Sequence, residues 1–336
     1  MIAPTSMAAL QMRGIETLVS TRLPVPSPGP REVLIRTTAA TICTSDLHDL
    51  AHNPFGIVLP RVLGHEAAGV VVQCGSDVGS LSPGTRVAAH PVIPCGTCEE
   101  CRRGFGHLCS CMGHLGLDRD GAFAEFFVHR ADRLRPLPPE VPDALGALLE
   151  PVCVCLQAVA RAGDVRDREV LVAGDGPFGN LIARLAARAG ARQVTVIGRE
   201  PFRLGRIRSA ITTTETKPRS VDIAILAVSS AEAAGKCLSA LRPRGRLVIF
   251  SAVANATPLE LTPVHVRELE IVGACNDEDR LDEALLCLRD PELGLADLIT
   301  HQLPFDRWPE AFELARHGHD RALKVALTFP APSSIA

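Results

Sequence analysis

Four cysteines near the end of the first third of the chain follow the spacing C-x2-C-x2-C-x7-C: Cys95, Cys98, Cys101 and Cys109. Four thiolates close a tetrahedron around Zn²⁺ and leave no open coordination position, so such a site is structural and cannot do chemistry. A zinc ribbon that binds nucleic acid would carry a basic patch. This segment offers only Arg102 and Arg103. The spacing therefore predicts a structural zinc site.

A second set of ligand-type residues stands apart from these cysteines. Cys43 precedes a polar stretch, His65 and Glu66 follow about twenty residues later, and Glu150 comes directly before a proline. One thiolate, one imidazole and one or two carboxylates hold Zn²⁺ and leave a position for water or a substrate oxygen. We predict a catalytic metal site here, with Glu66 and Glu150 both candidates for the carboxylate ligand.

A glycine-rich turn follows the apolar stretch Glu169 to Ala173 and precedes an Ala-rich helical stretch. It reads Gly174-Asp175-Gly176-Pro177-Phe178-Gly179, which fits the pattern G-x-G-x-x-G. In a strand–turn–helix context such glycines allow a tight turn and a close approach to a pyrophosphate, which then faces the helix N-terminus. We predict that this loop binds a dinucleotide.

The elements that position these residues change along the chain. Residues 7–153 contain short β-branched runs separated by Gly and Pro turns, which indicates an irregular, mostly β domain. Residues 154–297 alternate apolar strands with helices, which indicates βαβ units and a parallel sheet. Residues 298–336 are expected to return to the first domain. Residues 1–6 are expected to form a disordered leader.

Composition limits the classes of function. The chain has 336 residues, of which 46% are hydrophobic and 22% charged, with a formal net charge of −3. It is therefore expected to be globular, with no electrostatic reason to bind nucleic acid or an anionic membrane. We also expect no apolar run long enough to cross a bilayer and a cytoplasmic location.

Several motifs together resemble the zinc-containing medium-chain alcohol and polyol dehydrogenases over nearly the whole chain. They are Cys43-x-Ser45-Asp46-x-His48, Gly64-His65-Glu66-x-x-Gly69, the four-cysteine segment, Asp120-Gly121-Ala122, Leu149-Glu150-Pro151 and the Gly174 loop. The Glu-Pro pair is similar to the sorbitol, threonine and glucose dehydrogenase branch. The resemblance implies an α/β fold with a GroES-like, mostly β catalytic domain and a doubly wound Rossmann cofactor domain.

The resemblance also implies roles for individual residues. Cys43, His65 and either Glu66 or Glu150 would bind the catalytic zinc, while Ser45 and His48 would form a hydroxyl–imidazole proton relay. A second zinc would be structural, and the chain would form a homodimer or homotetramer.

The family places an acid five residues before an Arg-Leu pair, where it binds the ribose of NAD. Here that position is Gly198, followed by Arg199, with Arg203 nearby. A missing carboxylate and a guanidinium fork favour a 2′-phosphate, so we predict NADP over NAD, with Glu200 reaching the ribose as the rival interpretation. Residues 209–220 lack the length for the helix and strand expected there, which predicts a shortened sheet.

The predicted function is a zinc-dependent oxidoreductase that transfers hydride between a secondary alcohol and NADP and gives a ketone. The Glu-Pro type of site favours a polyol, sugar or cyclitol substrate. The alternative is an inactive dinucleotide-binding sensor or structural protein on the same fold.

Overall fold

The computed structural model describes residues 4–253 and 259–330. The strands are β1 Ser6–Gly14, β2 Thr17–Pro24, β3 Glu32–Thr41, β4 Arg61–Val62, β5 Glu66–Cys74, β6 Arg86–Ala89, β7 Val92–Ile93, β8 Gly113–His114, β9 Phe126–Arg130, β10 Leu134–Pro136, β11 Glu169–Ala173, β12 Gln193–Ile197, β13 Ile211–Thr213, β14 Val221–Leu226, β15 Leu241–Ile249, β16 Glu270–Gly273, β17 Ile299–Pro304 and β18 Lys324–Thr328. The α-helices are α1 Thr44–His52, α2 Glu99–Arg102, α3 Asp143–Gly146, α4 Leu149–Arg161, α5 Pro177–Arg188, α6 Pro201–Leu204, α7 Ala231–Ala240, α8 Thr262–Val266, α9 Leu281–Leu288 and α10 Trp308–His317. Together they confirm the predicted α/β class.

The first sheet has seven strands in the order β10-β6-β5-β3-β18-β17, and β9 also pairs with β3. The long strand β3 lies at its centre because it pairs with β5, β9 and β18, all antiparallel. Its apolar side chains Val33, Leu34 and Ile35 are fully buried in the core of this part of the molecule. The sheet thus fixes β3, whose end leads directly into α1.

The second sheet is parallel and has six strands in the order β13-β12-β11-β14-β15-β16. Alternate residues of β11 point to opposite faces, as the pleat requires. Val170 and Val172 belong to the core shared with α4, α5 and α9, whereas Leu171 and Ala173 pack in the core shared with α7. Helices therefore cover both faces, which confirms the predicted doubly wound arrangement.

The last strands return to the first sheet, since β18 pairs with both β17 and β3. The predicted domain limit at residue 153 falls inside α4, which runs without a break from Leu149 to Arg161. The end of the predicted return, residues 331–336, lies outside the described residues.

Two sequence expectations, the shortened sheet and the leader, need correction. The sheet is not short of a strand near residue 209, because β13 forms there and pairs with β12. The stretch Asp143–Arg161 is long and apolar enough to cross a membrane by composition, but 78% of that apolar window is buried inside the protein. Of the expected leader, residues 1–3 lie outside the described part, and β1 already begins at Ser6.

Candidate active site

The four predicted cysteines lie together in a partly exposed loop around α2. The Sγ atoms of Cys95 and Cys101 are 4.0 Å apart, and those of Cys98 and Cys109 are 3.6 Å apart. A zinc tetrahedron with Zn–S bonds of about 2.3 Å has S–S edges of roughly 3.8 Å, so the four thiols fit this ion. The backbone N–H groups of Thr97 and Cys98 donate to the Cys95 sulfur, and these bonds lower the pKa of that thiol to about 5.

A second, buried cluster joins Cys43, His65 and Glu66, whose ligand atoms all lie within 4.8 Å of one another. Cys43 stands between the end of β3 and α1, where it is the N-cap residue of the helix. His65 and Glu66 stand at the start of β5, and Glu66 lies directly opposite Thr41 in the register of β3 and β5. The pairing of two neighbouring strands therefore brings the distant motifs together.

Asp46 orients two of these residues, a role that the sequence analysis did not assign. One oxygen of its buried carboxylate lies 3.3 Å from Nδ1 of His65, and the other accepts the backbone N–H of Cys43 at 2.9 Å. A carboxylate on one imidazole nitrogen fixes the tautomer and leaves the other nitrogen for a metal. The signal was present in the sequence, since Asp46 stands three residues after Cys43 in the same motif.

Both carboxylate oxygens of Glu66 are engaged by the protein. One accepts a short hydrogen bond from the Thr41 hydroxyl, and the other lies 2.6 Å from Nζ of Lys324. Lys324 is buried, and although burial disfavours its charge, Glu66 raises the pKa of its ammonium group. No local pattern pointed to Lys324, because it stands 258 residues from Glu66 in the chain.

Glu150 approaches the same cluster from the start of α4. The residue is half-buried, and its buried Oε2 has no hydrogen-bond partner in the described part of the chain. Burial raises the pKa of Glu150 to about 7, while His65 opposes this effect. A carboxylate oxygen without a protein partner, a thiol and an imidazole together form a donor set that zinc takes. The residues present therefore fit the predicted metal.

The two residues of the predicted relay are three positions apart on one face of α1. The Ser45 hydroxyl lies 3.3 Å from Nε2 of His65, at the edge of the cluster. His48 is exposed one turn later, where its ring packs against that of His52. Within the described residues, no hydrogen bond joins Ser45 to His48.

A third group of ligand atoms, from His90, Cys153 and Asp277, is also buried. Nε2 of His90 is hydrogen-bonded to the Asp277 carboxylate, and its Nδ1 lies 2.8 Å from the guanidinium of Arg133. Both imidazole nitrogens are thus engaged and a fixed positive charge lies beside them. This group joins the two sheets and does not offer a cation site.

The predicted glycine loop lies between β11 and α5, and two of its glycines are sterically required. Gly174 has a φ of 128°, which side chains rarely adopt. A Cβ on Gly179 would lie 1.9 Å from the carbonyl oxygen of Gly174, so helix and loop could not pack as they do. Gly176 is the N-cap residue of α5 and Pro177 follows at its first position. This is the geometry of a phosphate site at a helix N-terminus.

One side chain links the glycine loop to the metal-ligand cluster. The ring of Phe178 packs edge-on against Phe250, and Nζ of Lys324 lies 5.6 Å from the centre of the Phe178 ring. The same ammonium group is bonded to Glu66. Lys324 therefore lies between the predicted metal site and the predicted dinucleotide site.

The structure differs from the sequence analysis at the end of β12. Gly198 does lack a side chain, but the Asp175 carboxylate fills the space beside it, so the expected absence of negative charge is wrong. Arg199 extends to Glu232, with 2.5 Å between Nη2 and Oε2. Arg203 lies against His319 and the carbonyl of Ala322. Both guanidinium groups assigned to a phosphate therefore already have protein partners.

Several known proteins are similar to this chain in sequence or in architecture. Residues 29–139 match the family model described as alcohol dehydrogenase GroES-like domain. The chain is 33% identical to sorbitol dehydrogenase of Bos taurus over 317 residues, which cover 88% of this chain and 89% of that protein. It is 32% identical to L-idonate 5-dehydrogenase of Vitis vinifera, with 94% and 93% covered.

Two solved structures also match, each at 25% identity and over 97% of this chain and 100% of the other. One is a zinc-binding dehydrogenase from Sinorhizobium meliloti 1021 bound to NADP, with a TM-score of 0.88. The other is an alcohol dehydrogenase from E. coli CFT073 complexed with NADH, with a TM-score of 0.90. Relatives of the same fold thus occur with either cofactor. These matches place the chain in the zinc-containing medium-chain alcohol and polyol dehydrogenase family.

Proposed function

We propose that the protein moves a hydride between the carbinol carbon of a secondary alcohol and a nicotinamide dinucleotide, with the ketone as the oxidised product. The observation that carries this proposal is the contact of Lys324 with both Glu66 and Phe178. Through this side chain the metal-ligand cluster and the dinucleotide loop are neighbours. Hydride transfer requires that the substrate and the cofactor are bound side by side.

We propose Cys43, His65 and Glu150 as the ligands of the catalytic zinc. The unpartnered oxygen of Glu150 supports its place in this set, whereas Thr41 and Lys324 already occupy both oxygens of Glu66. When bound, zinc supplies a Lewis acid that polarises the substrate oxygen. Glu66 then neutralises Lys324 in a region from which water is excluded.

Ser45 and His48 are proposed to carry the alcohol proton to solvent. The Ser45 hydroxyl lies at the edge of the buried cluster, and His48 is exposed three residues later on α1. Residues three apart share one face of a helix, so the two groups mark a path from the pocket to the surface. The direct contact of Ser45 with His65 holds its oxygen toward the substrate position.

The glycine loop is proposed to bind the dinucleotide pyrophosphate. Gly174, Gly176 and Gly179 shape the loop, and Pro177 and Phe178 begin the twelve-residue helix α5, whose N-terminal N–H groups face the phosphates. The prediction of NADP rests on Gly198, Arg199 and Arg203, whereas Asp175 favours NAD.

A polyol, sugar or cyclitol is the proposed class of substrate. The Glu150-Pro151 type of site supports it, as do relatives whose names refer to sorbitol and L-idonate, both polyhydroxylated compounds. The inactive sensor is not favoured, since the relatives are named dehydrogenases and Cys43, His65 and Asp46 lie together.

We further propose that residues 7–153 with the returning segment from 298 form the catalytic domain, and residues 154–297 the cofactor domain. A homodimer or homotetramer is proposed through the edge strand β16. Strand β16 pairs only with β15 among the described strands, and Leu261, Val266 and Ile271 beside it are exposed. Apolar residues on an open sheet edge favour pairing with another copy.

Metal analysis combined with a substrate screen tests the proposal. The purified protein should contain two zinc ions per chain and reduce NAD⁺ or NADP⁺ with at least one secondary alcohol among polyols, sugars and cyclitols, measured by absorbance of the reduced cofactor. One zinc per chain and no turnover would instead support the inactive binding protein.

A further inference from the structure

The side chain of Asp175 takes the space that an acid at the end of β12 would fill. A Cβ built on Gly198 would lie 2.4 Å from Oδ2 of Asp175, 2.5 Å from its Cβ and 2.7 Å from its Cγ. An Asp or Glu at position 198 and the present Asp175 are therefore mutually exclusive. The carboxylate is not missing from this corner of the site but comes from the glycine loop.

Hydrogen bonds hold the Asp175 carboxylate in that place. Its Oδ2 accepts the backbone N–H groups of Arg199 and Glu200, at 2.6 Å and 2.8 Å. Hydrogen bonds to an ionised acceptor are stronger than those between neutral groups. Oδ1 has no hydrogen-bond partner within the described residues, which leaves one oxygen of the carboxylate able to accept from a ribose hydroxyl.

The same contacts disfavour a 2′-phosphate. The two N–H groups that an anion at this corner would use are already bonded to Asp175, and the anion would lie beside a carboxylate of like charge. Arg199, the guanidinium group next to Gly198 in the sequence, forms an ion pair with Glu232, and Arg203 is hydrogen-bonded to His319 and to the carbonyl of Ala322.

We propose that Asp175 recognises the adenosine ribose of the cofactor and makes the protein select NAD(H) over NADP(H). This inference rests on the proposed function, since it concerns the same dinucleotide site. Asp175 acts as a specificity-determining residue: it accepts from the ribose diol of NAD and repels the phosphate of NADP.

Calorimetric titration of NAD⁺ and of NADP⁺ into the full-length, zinc-loaded protein tests the inference without turnover. We expect wild-type protein to bind NAD⁺ more tightly by roughly 100-fold. Asp175→Asn keeps the shape of the side chain and an acceptor for the two N–H groups, and it should reduce that ratio roughly tenfold or more. Asp77→Asn removes an exposed carboxylate in the loop after β5 and serves as the matched control, with an unchanged ratio.

A double substitution distinguishes loss of the carboxylate from a general disturbance of the loop. Asp175→Gly with Gly198→Asp returns the acid to the strand end, and glycine is needed at 175 because the Cβ of Asp175 alone would lie 2.5 Å from the new Cβ. The pair should restore the preference for NAD⁺ that Asp175→Gly alone loses. A ratio that Asp175→Asn leaves unchanged, or tighter binding of NADP⁺ by wild type, overturns the inference alone. Binding of neither dinucleotide overturns the proposed function and this inference with it.

Discussion

The four-cysteine loop and the cluster of Cys43, His65 and Glu66 (the Cys43 cluster) both offer metal ligands. They differ in how far apart their ligands lie in the sequence and in how deeply these are buried. The loop takes all its ligands from residues 95–109, is partly exposed, and its own backbone N–H groups donate to the Cys95 sulfur. The Cys43 cluster is buried, and the residues around it come from distant elements. These are Thr41 of β3, Glu66 of β5, Glu150 of α4 and Lys324 of β18. A site within one loop can change without disturbing the rest of the molecule, whereas each member of the buried cluster affects its neighbours.

The sharpest test of this comparison removes one thiol from the buried cluster. Cys43→Ala should abolish binding of the catalytic zinc and lower kcat/KM by roughly 10³-fold or more, because the Lewis acid contributes several kcal/mol to the transition state. Zinc content should fall from two ions to one per chain, measured by atomic emission. The matched thiol variant Cys74→Ala, on β5 but outside the cluster, should keep both ions. Normal turnover by Cys43→Ala would rule out the assigned pocket.

The next variant separates the two candidate carboxylates. Glu150→Gln should weaken binding of the catalytic zinc and reduce activity by about 10- to 100-fold, because it replaces a carboxylate that has an unpartnered oxygen by a poorer ligand. Chelator titration followed by activity measurement gives the affinity. Unchanged zinc affinity would assign the ligand to Glu66 instead.

Glu66→Gln is the matched variant on the other side of the cluster. It leaves the buried Lys324 without its carboxylate, and breaking a buried ion pair from one side costs about 3–5 kcal/mol. We therefore expect a large loss in the free energy of unfolding, measured by urea denaturation. The zinc content should remain near two ions per chain. Loss of one zinc with unchanged stability would contradict this division of roles.

Asp46 tests whether the buried cluster depends on groups that do not bind metal. Asp46→Asn weakens the contact with Nδ1 of His65, and we expect a decrease of about tenfold in kcat/KM or in zinc affinity. Thermal unfolding should confirm that the protein remains folded. Thr44→Ala, at an exposed position of the same helix, is the control for disturbance of α1.

The sequence predicted what short-range patterns determine. The cysteine spacing, the glycine loop with its flanking strand and helix, and the ligand types at Cys43 and His65 all depend on neighbouring residues. Lys324 could not be predicted in this way, since only the pairing of β18 with β3 brings it to Glu66. Asp175 was visible in the motif, but its direction toward Gly198 depends on the parallel register of β11 and β12. The register of β11 and β12 therefore determines that Asp175, and not residue 198, supplies the carboxylate at this corner of the dinucleotide site.

The smallest effect on activity is expected from the exposed loop. Cys98→Ser removes one of four thiolates, so the structural zinc should be lost and the loop should no longer be cross-linked. Metal cross-links act much as disulfides do, and the loss should be on the order of 2–5 kcal/mol in the free energy of unfolding. Because the loop shares no ligand with the buried cluster, kcat of the folded protein should change less than about twofold.

Cys111→Ser, an exposed cysteine just outside the motif, should alter neither stability nor zinc content. A decrease in kcat as large as that of Cys43→Ala would show that the two sites are coupled, and that exposure and local sequence do not make the loop independent.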